Sequence, residues 1–148
     1  MDNYIQQMND AGIRYLLIGG QAMRMEGMPR FSMDWDFFIP PKDTANVAKI
    51  NAVFGDLFDI PLELLGPHGE GFVQTYQTPR GIIQFHLAPP GLPKFDEAER
   101  RMAIHLTESG TPVHCLAAAD LLTSKQATGR DKDTEDIEFL KIKFATKT

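Results

Sequence analysis

Apolar residues recur along this chain at helical and at strand spacing, and the switches between the two outline its elements. Tyr4, Ile5 and Met8 make an apolar stripe over Asn3 to Asp10, which predicts a short helix ended by Gly12. Arg14 to Ile18 predicts a buried strand, its apolar run stopping at Gly19-Gly20. Gln21 to Glu26 reads as a helix closed by Gly27-Met28-Pro29. Ser32 to Ile39 is the second predicted strand. Pro41 to Phe54 follows as a helix with Ala45, Ala48 and Val53 among its apolar positions.

Asp56 to Pro67 is ambiguous, its apolar run fitting a short strand followed by a turn or helix. Gly71 to Tyr76 and Ile82 to Leu87 flank Thr78-Pro79-Arg80-Gly81 and predict a β-hairpin. A proline-rich loop, Ala88 to Pro93, leads to a polar helical or irregular bridge from Phe95 to Arg101. Ile104 to Leu106 and Pro112 to His114 read as edge strands. Ala117 to Ala127 and Asp131 to about Phe144 form a closing helix pair, about 117–144, with Ile137, Leu140, Ile142 and Phe144 available for burial. The order predicts an α/β (α+β) fold, a small mixed β-sheet with helices packed against it. No repeat or linker divides the chain, so 1–148 is read as a single domain.

Composition narrows the function classes. A hydrophobic fraction of 43% and a charged fraction of 24% are those of an ordinary globular protein. The net charge of -5, spread along the chain, argues against a nonspecific nucleic-acid binder with a basic stripe. Apolar runs fall far short of the ~20 residues of a membrane span, and MDNYIQQMNDAG lacks a signal peptide's basic start and apolar core. A cytoplasmic location is expected. Cys115 is alone, which excludes an internal disulfide and a zinc-type cysteine cluster.

The chemistry concentrates between Tyr15 and Pro40. Strand alternation sends Asp34 and Asp36 to one side, about 7 Å apart, where two carboxylates repel unless a cation joins them. Gly19 and Gly20 allow backbone N–H groups to approach a phosphate. Together these features suggest a metal-bound nucleotide phosphate.

Strand, Gly19-Gly20, helix, then Arg30-Phe31-Ser32-Met33-Asp34-Trp35-Asp36 resembles the nucleotidyltransferase superfamily. The likeness is greatest to the small bacterial AbiEii/AbiGii-type group, related to toxins of abortive-infection and toxin–antitoxin systems. Ser32 stands where that family usually has threonine. Asp120-Leu121, Lys125, Ala127, Gly129-Arg130, Lys132-Asp133 and Asp136 resemble its C-terminal block. The resemblance implies Mg²⁺ (or Mn²⁺) held by Asp34 and Asp36, with an NTP substrate contacted by Gly19, Gly20, Arg30, Ser32, Lys125 and Arg130. It implies transfer of a nucleoside monophosphate to a hydroxyl acceptor, whether on protein, RNA or a small molecule, and possible pairing with a cognate antitoxin. A third carboxylate belongs on a later strand, where this chain has Gln84. Glutamine cannot act as a general base, and His86, two residues on and on the same side, is the candidate catalytic substitute. Loss of catalysis in a nucleotide-binding or protein-interaction module is the alternative.

Several residues have a structural reading beside the functional one. Lys125 and Arg130 either enter a nucleotide pocket or pair with Asp120, Asp133 or Asp136 to fix the two helices. Arg24 and Arg30 either guide phosphates or pair with Glu26 and other acids. His86 is a catalytic group or a hydrogen-bonded sheet histidine. Met23, Met25, Met28 and Met33 read as flexible core filling, and His68, His105 and His114 as structural.

Overall fold

A computed structural model describes residues 1–29 and 32–146. Arg30, expected on a phosphate, lies outside the described residues. The elements run α1 (Asp2–Asp10), β1 (Leu16–Ile18), α2 (Gly19–Met25), β2 (Asp34–Phe38), α3 (Thr44–Phe54), β3 (Val73–Thr78), β4 (Gly81–His86), α4 (Phe95–Arg100), β5 (Ala103–Leu106), β6 (Pro112–Cys115), α5 (Ala118–Thr128) and α6 (Thr134–Thr146). The 6-stranded mixed sheet has the order β3-β4-β2-β1-β6-β5. β1 is antiparallel to β2 and parallel to β6, and β2 is parallel to β4.

Register divides the sheet into two faces. Leu17, Phe37, Phe85 and Cys115 align across four strands on one face and are buried. Phe54 of α3 and Phe58 cover this face, packing edge-on against Phe85, while Phe58 stacks on Tyr76. Ile18, Asp36 and Gln84 align on the other face. The side chains of Asp36 and Gln84, which enter the cleft described below, project from that second face.

Local chemistry explains the element boundaries. Asp43 caps α3 by accepting from the Asn46 N–H, and buried Asn46 in turn exchanges hydrogen bonds with the backbone of Arg14. The chain after α3 forms a 3-10 turn, Gly55–Leu57, and then runs irregularly to the hairpin, which settles the Asp56 to Pro67 ambiguity. Ala45 and Ala48 are exposed, and α3 instead buries Val47, Ile50 and Phe54. The sequence also predicts two edge strands near the C-terminus, but only β5 is an edge. β6 lies inside the sheet between β1 and β5. A 3-10 turn at Asp131–Asp133 precedes α6, so the helix starts three residues late and its phase shifts. Leu140 is buried as expected, while Ile142 faces out.

Candidate functional site

A cleft of 420 Å³ opens on the second face of the sheet. Its floor is Gly19, Gly20, Ser32, Asp34, Asp36, Gln84 and His86, and α5 with the turn before α6 supplies Lys125, Arg130 and Lys132. Pro89, Pro90 and Leu92 of the proline-rich loop close one side. Gly19, Gly20, Ser32, Asp34, Asp36, His86, Lys125 and Arg130, all selected from the sequence, line this one cleft, whereas Arg24 lies outside its lining and donates to Gln21 Oε1.

Strand pairing builds the floor. Asp34 and Asp36 alternate with Trp35 on β2, and the parallel register places Asp36 beside Gln84 on β4. His86 follows two residues later on the same face, and its Nε2 donates to Asp36 Oδ1 at 2.9 Å. Both side chains are only partly exposed, 17% for Asp36 and 19% for His86. The imidazole therefore touches the carboxylate that was expected to hold metal, one strand away.

Gly19 does more than expose its N–H. Its φ is +70°, and a Cβ added there would lie 2.7 Å from Asp36 Oδ2. β1 and β2 are antiparallel, which brings the residue after Ile18 against Asp36. No local sequence signal carries this contact, because it depends on the pairing. Ser32 is tied into the backbone on both sides: its hydroxyl donates to Asp34 O, and its carbonyl accepts from buried Gln21 Nε2.

The cationic wall is largely committed to internal pairing. Lys125 is buried, donates to Asp133 Oδ1 at 3.2 Å and lies 2.9 Å from Asp136 Oδ2. Arg130 Nε donates to Asp133 Oδ2 at 2.7 Å while half its side chain stays exposed. Burial would raise the Asp133 carboxyl, but Arg130 and Lys125 outweigh it and hold it below the usual carboxylate range. The ion-pair network joining α5 and α6 is thus present, with both cations still bordering the cleft. Exposed Lys132 was read from the sequence only as part of the family-like block, yet it also borders the cleft. The cleft roles of Pro89, Pro90 and Leu92 had no signal beyond a proline-rich loop.

Among the described residues no three His, Cys, Asp or Glu side chains form a group that could hold a metal ion. The donor set is two strand carboxylates, one of them already accepting from His86. That set does not fit a resident metal enclosed by protein. It does fit a cation carried in by a polyphosphate, since Mg²⁺ takes one or two carboxylates and completes its shell with phosphate oxygens and water.

No protein-family model matches the sequence, nor does any curated protein. Solved structures do. A candidate nucleotidyltransferase from Thermotoga maritima superposes with a TM-score of 0.60 at 11% identity, covering 99% of this chain and 90% of its own. The fold is nucleotidyltransferase-like. JHP933 from Helicobacter pylori gives a TM-score of 0.55 at 17% identity over 93% of this chain and 61% of that one. The antibiotic-resistance factor ANT(2'')-Ia gives 0.51 at 14% identity, covering 99% of this chain and 84% of that one. At these identities the likeness is one of fold alone, and that fold is nucleotidyltransferase-like. No helix among the described residues is long and apolar enough to cross a membrane.

Proposed function

We propose that this chain is a nucleotide-binding module on a nucleotidyltransferase-like fold, with the transfer chemistry reduced or lost. The observation that carries this reading is Gln84, in register beside Asp36 where a third carboxylate would sit. Asp34 and Asp36 would hold a Mg²⁺ or Mn²⁺ that arrives with the nucleotide, and the cation would supply neutralisation of phosphate charge. Gly19 and Gly20 present backbone N–H groups to the phosphates, and Arg130 and Lys132 offer positive charge from the opposite wall. Gln84 hydrogen-bonds but accepts no proton.

One contact favours a second reading, in which transfer survives. His86 touches Asp36 and could serve as base: it takes the proton of an acceptor hydroxyl, the oxygen attacks the α-phosphorus, and pyrophosphate leaves. The resemblance to toxin–antitoxin components adds a partner protein, which co-purification with the product of the adjacent gene would test.

The deciding experiment is calorimetric titration with each NTP, first with Mg²⁺ and then with EDTA. One nucleotide should bind in a metal-dependent way, and Asp34→Asn and Asp36→Asn should each weaken it by on the order of 10–100-fold. Absence of binding to folded protein overturns the module. A labelled-nucleotide assay then separates the two readings. Turnover in wild type that His86→Ala removes supports transfer, whereas turnover gained only in Gln84→Asp supports the module.

A further inference from the structure

β2 runs past the end of β1. Its pairing with β1 stops at Ile18 and Asp36, while its pairing with β4 continues to Asp34 and Ile82. Continued straight, β1 would set Gly20 beside Asp34 and Ala22 beside Ser32, but the chain turns into α2 at Gly19, whose φ is +70°. The end of β2 that carries Asp34 therefore has a paired strand on one flank only. Gln21 fills the other flank. Its side chain, 3% exposed, donates from Nε2 to Ser32 O at 2.8 Å, in the place of a ladder N–H. Arg24, three residues along α2, donates from Nη1 to Gln21 Oε1 at 3.2 Å. A guanidinium only donates and a carbonyl oxygen only accepts, so both partners demand the same orientation of the Gln21 amide. Ser32 Oγ continues the link to Asp34 O at 3.3 Å.

We infer that Gln21 is a positioning residue for the cleft floor, a side-chain substitute for the missing length of β1 that fixes Asp34 where a nucleotide-borne cation is held. The role in cation placement rests on the nucleotide-binding reading, whereas the hold on β2 does not. Neither Gln21 nor Arg24 lines the cleft, so both act through Ser32 and Asp34. Arg24, read from the sequence as a phosphate guide or a partner of Glu26, instead orients this amide, and Glu26 is served by His105 and Lys143. Asp36 has separate supports, with Ile18 and Gly19 on one side and His86 on the other. Loss of the Gln21 amide should therefore loosen Asp34 and leave Asp36 in place.

Hydrogen exchange on nucleotide-free protein, followed by calorimetric titration with Mg²⁺ and each NTP, tests the assignment. Gln21→Met keeps the length of the side chain and removes both hydrogen bonds. It should speed exchange over residues 32–36 at least about tenfold and leave exchange over α3 unchanged. It should also weaken Mg²⁺-dependent nucleotide binding about tenfold, as loss of a group that orients a metal ligand does. Arg24→Met, at an exposed position, should give about two- to threefold in both measurements, and Arg24→Lys, which keeps a donor, should match wild type. If Gln21→Met fails to fold, the two Arg24 variants carry the same test. Unchanged exchange over 32–36 overturns the hold on β2, and faster exchange throughout the chain makes Gln21 a general stabiliser instead. Faster local exchange with unchanged nucleotide affinity overturns its role in placing Asp34. Wild type that binds no nucleotide overturns the nucleotide-binding reading and the cation-placing role with it, while the exchange comparison still decides the hold on β2.

Discussion

Gly19 is the residue on which the cleft floor turns, because two constraints meet there. Its backbone is left-handed at φ +70°, and its missing Cβ is the space that Asp36 occupies. Alanine at 19 would cost roughly 1–2 kcal/mol for the left-handed backbone and would also push the carboxylate aside. Gly27, near the other end of α2, isolates the second effect: its φ is +100°, with nothing within 4 Å of an added Cβ. Both Gly19→Ala and Gly27→Ala should lower the melting temperature, but only Gly19→Ala should also weaken Mg²⁺-dependent nucleotide binding. Equal affinity in the two variants would separate Asp36 placement from Gly19. Period-2 alternation made the facing of Asp34 and Asp36 legible in the sequence, and that of Gln84 and His86 with it. The approach of Gly19 to Asp36 and the His86 hydrogen bond were not, since both arise from one strand lying beside another.

Between elements, buried charge fastens α5 to α6. Asp133 is nearly inaccessible and serves Lys125, Arg130 and the Thr128 hydroxyl together. Burial opposes its ionisation and its two cations prevail, so its folded pKa lies below its unfolded one. The unfolded chain then binds the proton more readily, and stability must rise with pH through this window. The contribution is complete above the unfolded value of about 3.9 and is lost as pH falls through the lower folded value. Asp133→Asn should therefore cost about 1–3 kcal/mol near neutrality. Urea unfolding at a series of pH values should show that gap constant above about pH 5 and closing in acid. A gap that persists unchanged into acid would place the stabilisation outside the ion pairs. The helix pair itself was legible from apolar spacing, and in the structure Gly129 takes the left-handed conformation that ends α5. The start of α6 was not, because the Asp131–Asp133 turn looks helical in composition, and the phase it sets decides that Leu140 goes in and Ile142 out.

For the molecule as a whole, the open question is whether the two halves of the sheet hold together as one cooperative unit. β3, β4 and β2 share long registers, whereas β6 meets β1 through the single aligned pair Leu17 and Cys115. That long-range parallel contact is also why the strand order could not be read from the sequence, in which β6 looks like an edge. Cys115 is therefore a reporter placed at the seam. It is 1% exposed, and burial, with Glu26 adding to it, pushes its thiol up to about 12. At pH 8 only on the order of one folded molecule in 10⁴ carries the reactive thiolate, against a substantial fraction of unfolded chains, whose thiol titrates near 8.5. A disulfide reagent such as dithionitrobenzoate should thus label Cys115 through opening alone. If Leu17, Phe37, Phe85 and Cys115 form one continuous buried row, the opening free energy from labelling should equal that of global urea unfolding, with the same denaturant slope. Labelling with a smaller free energy and a shallow slope would mean that β5 and β6 detach first. The cleft would then lose Leu116 and the adjoining α5 wall while β1 and β2 still held Gly19 against Asp36.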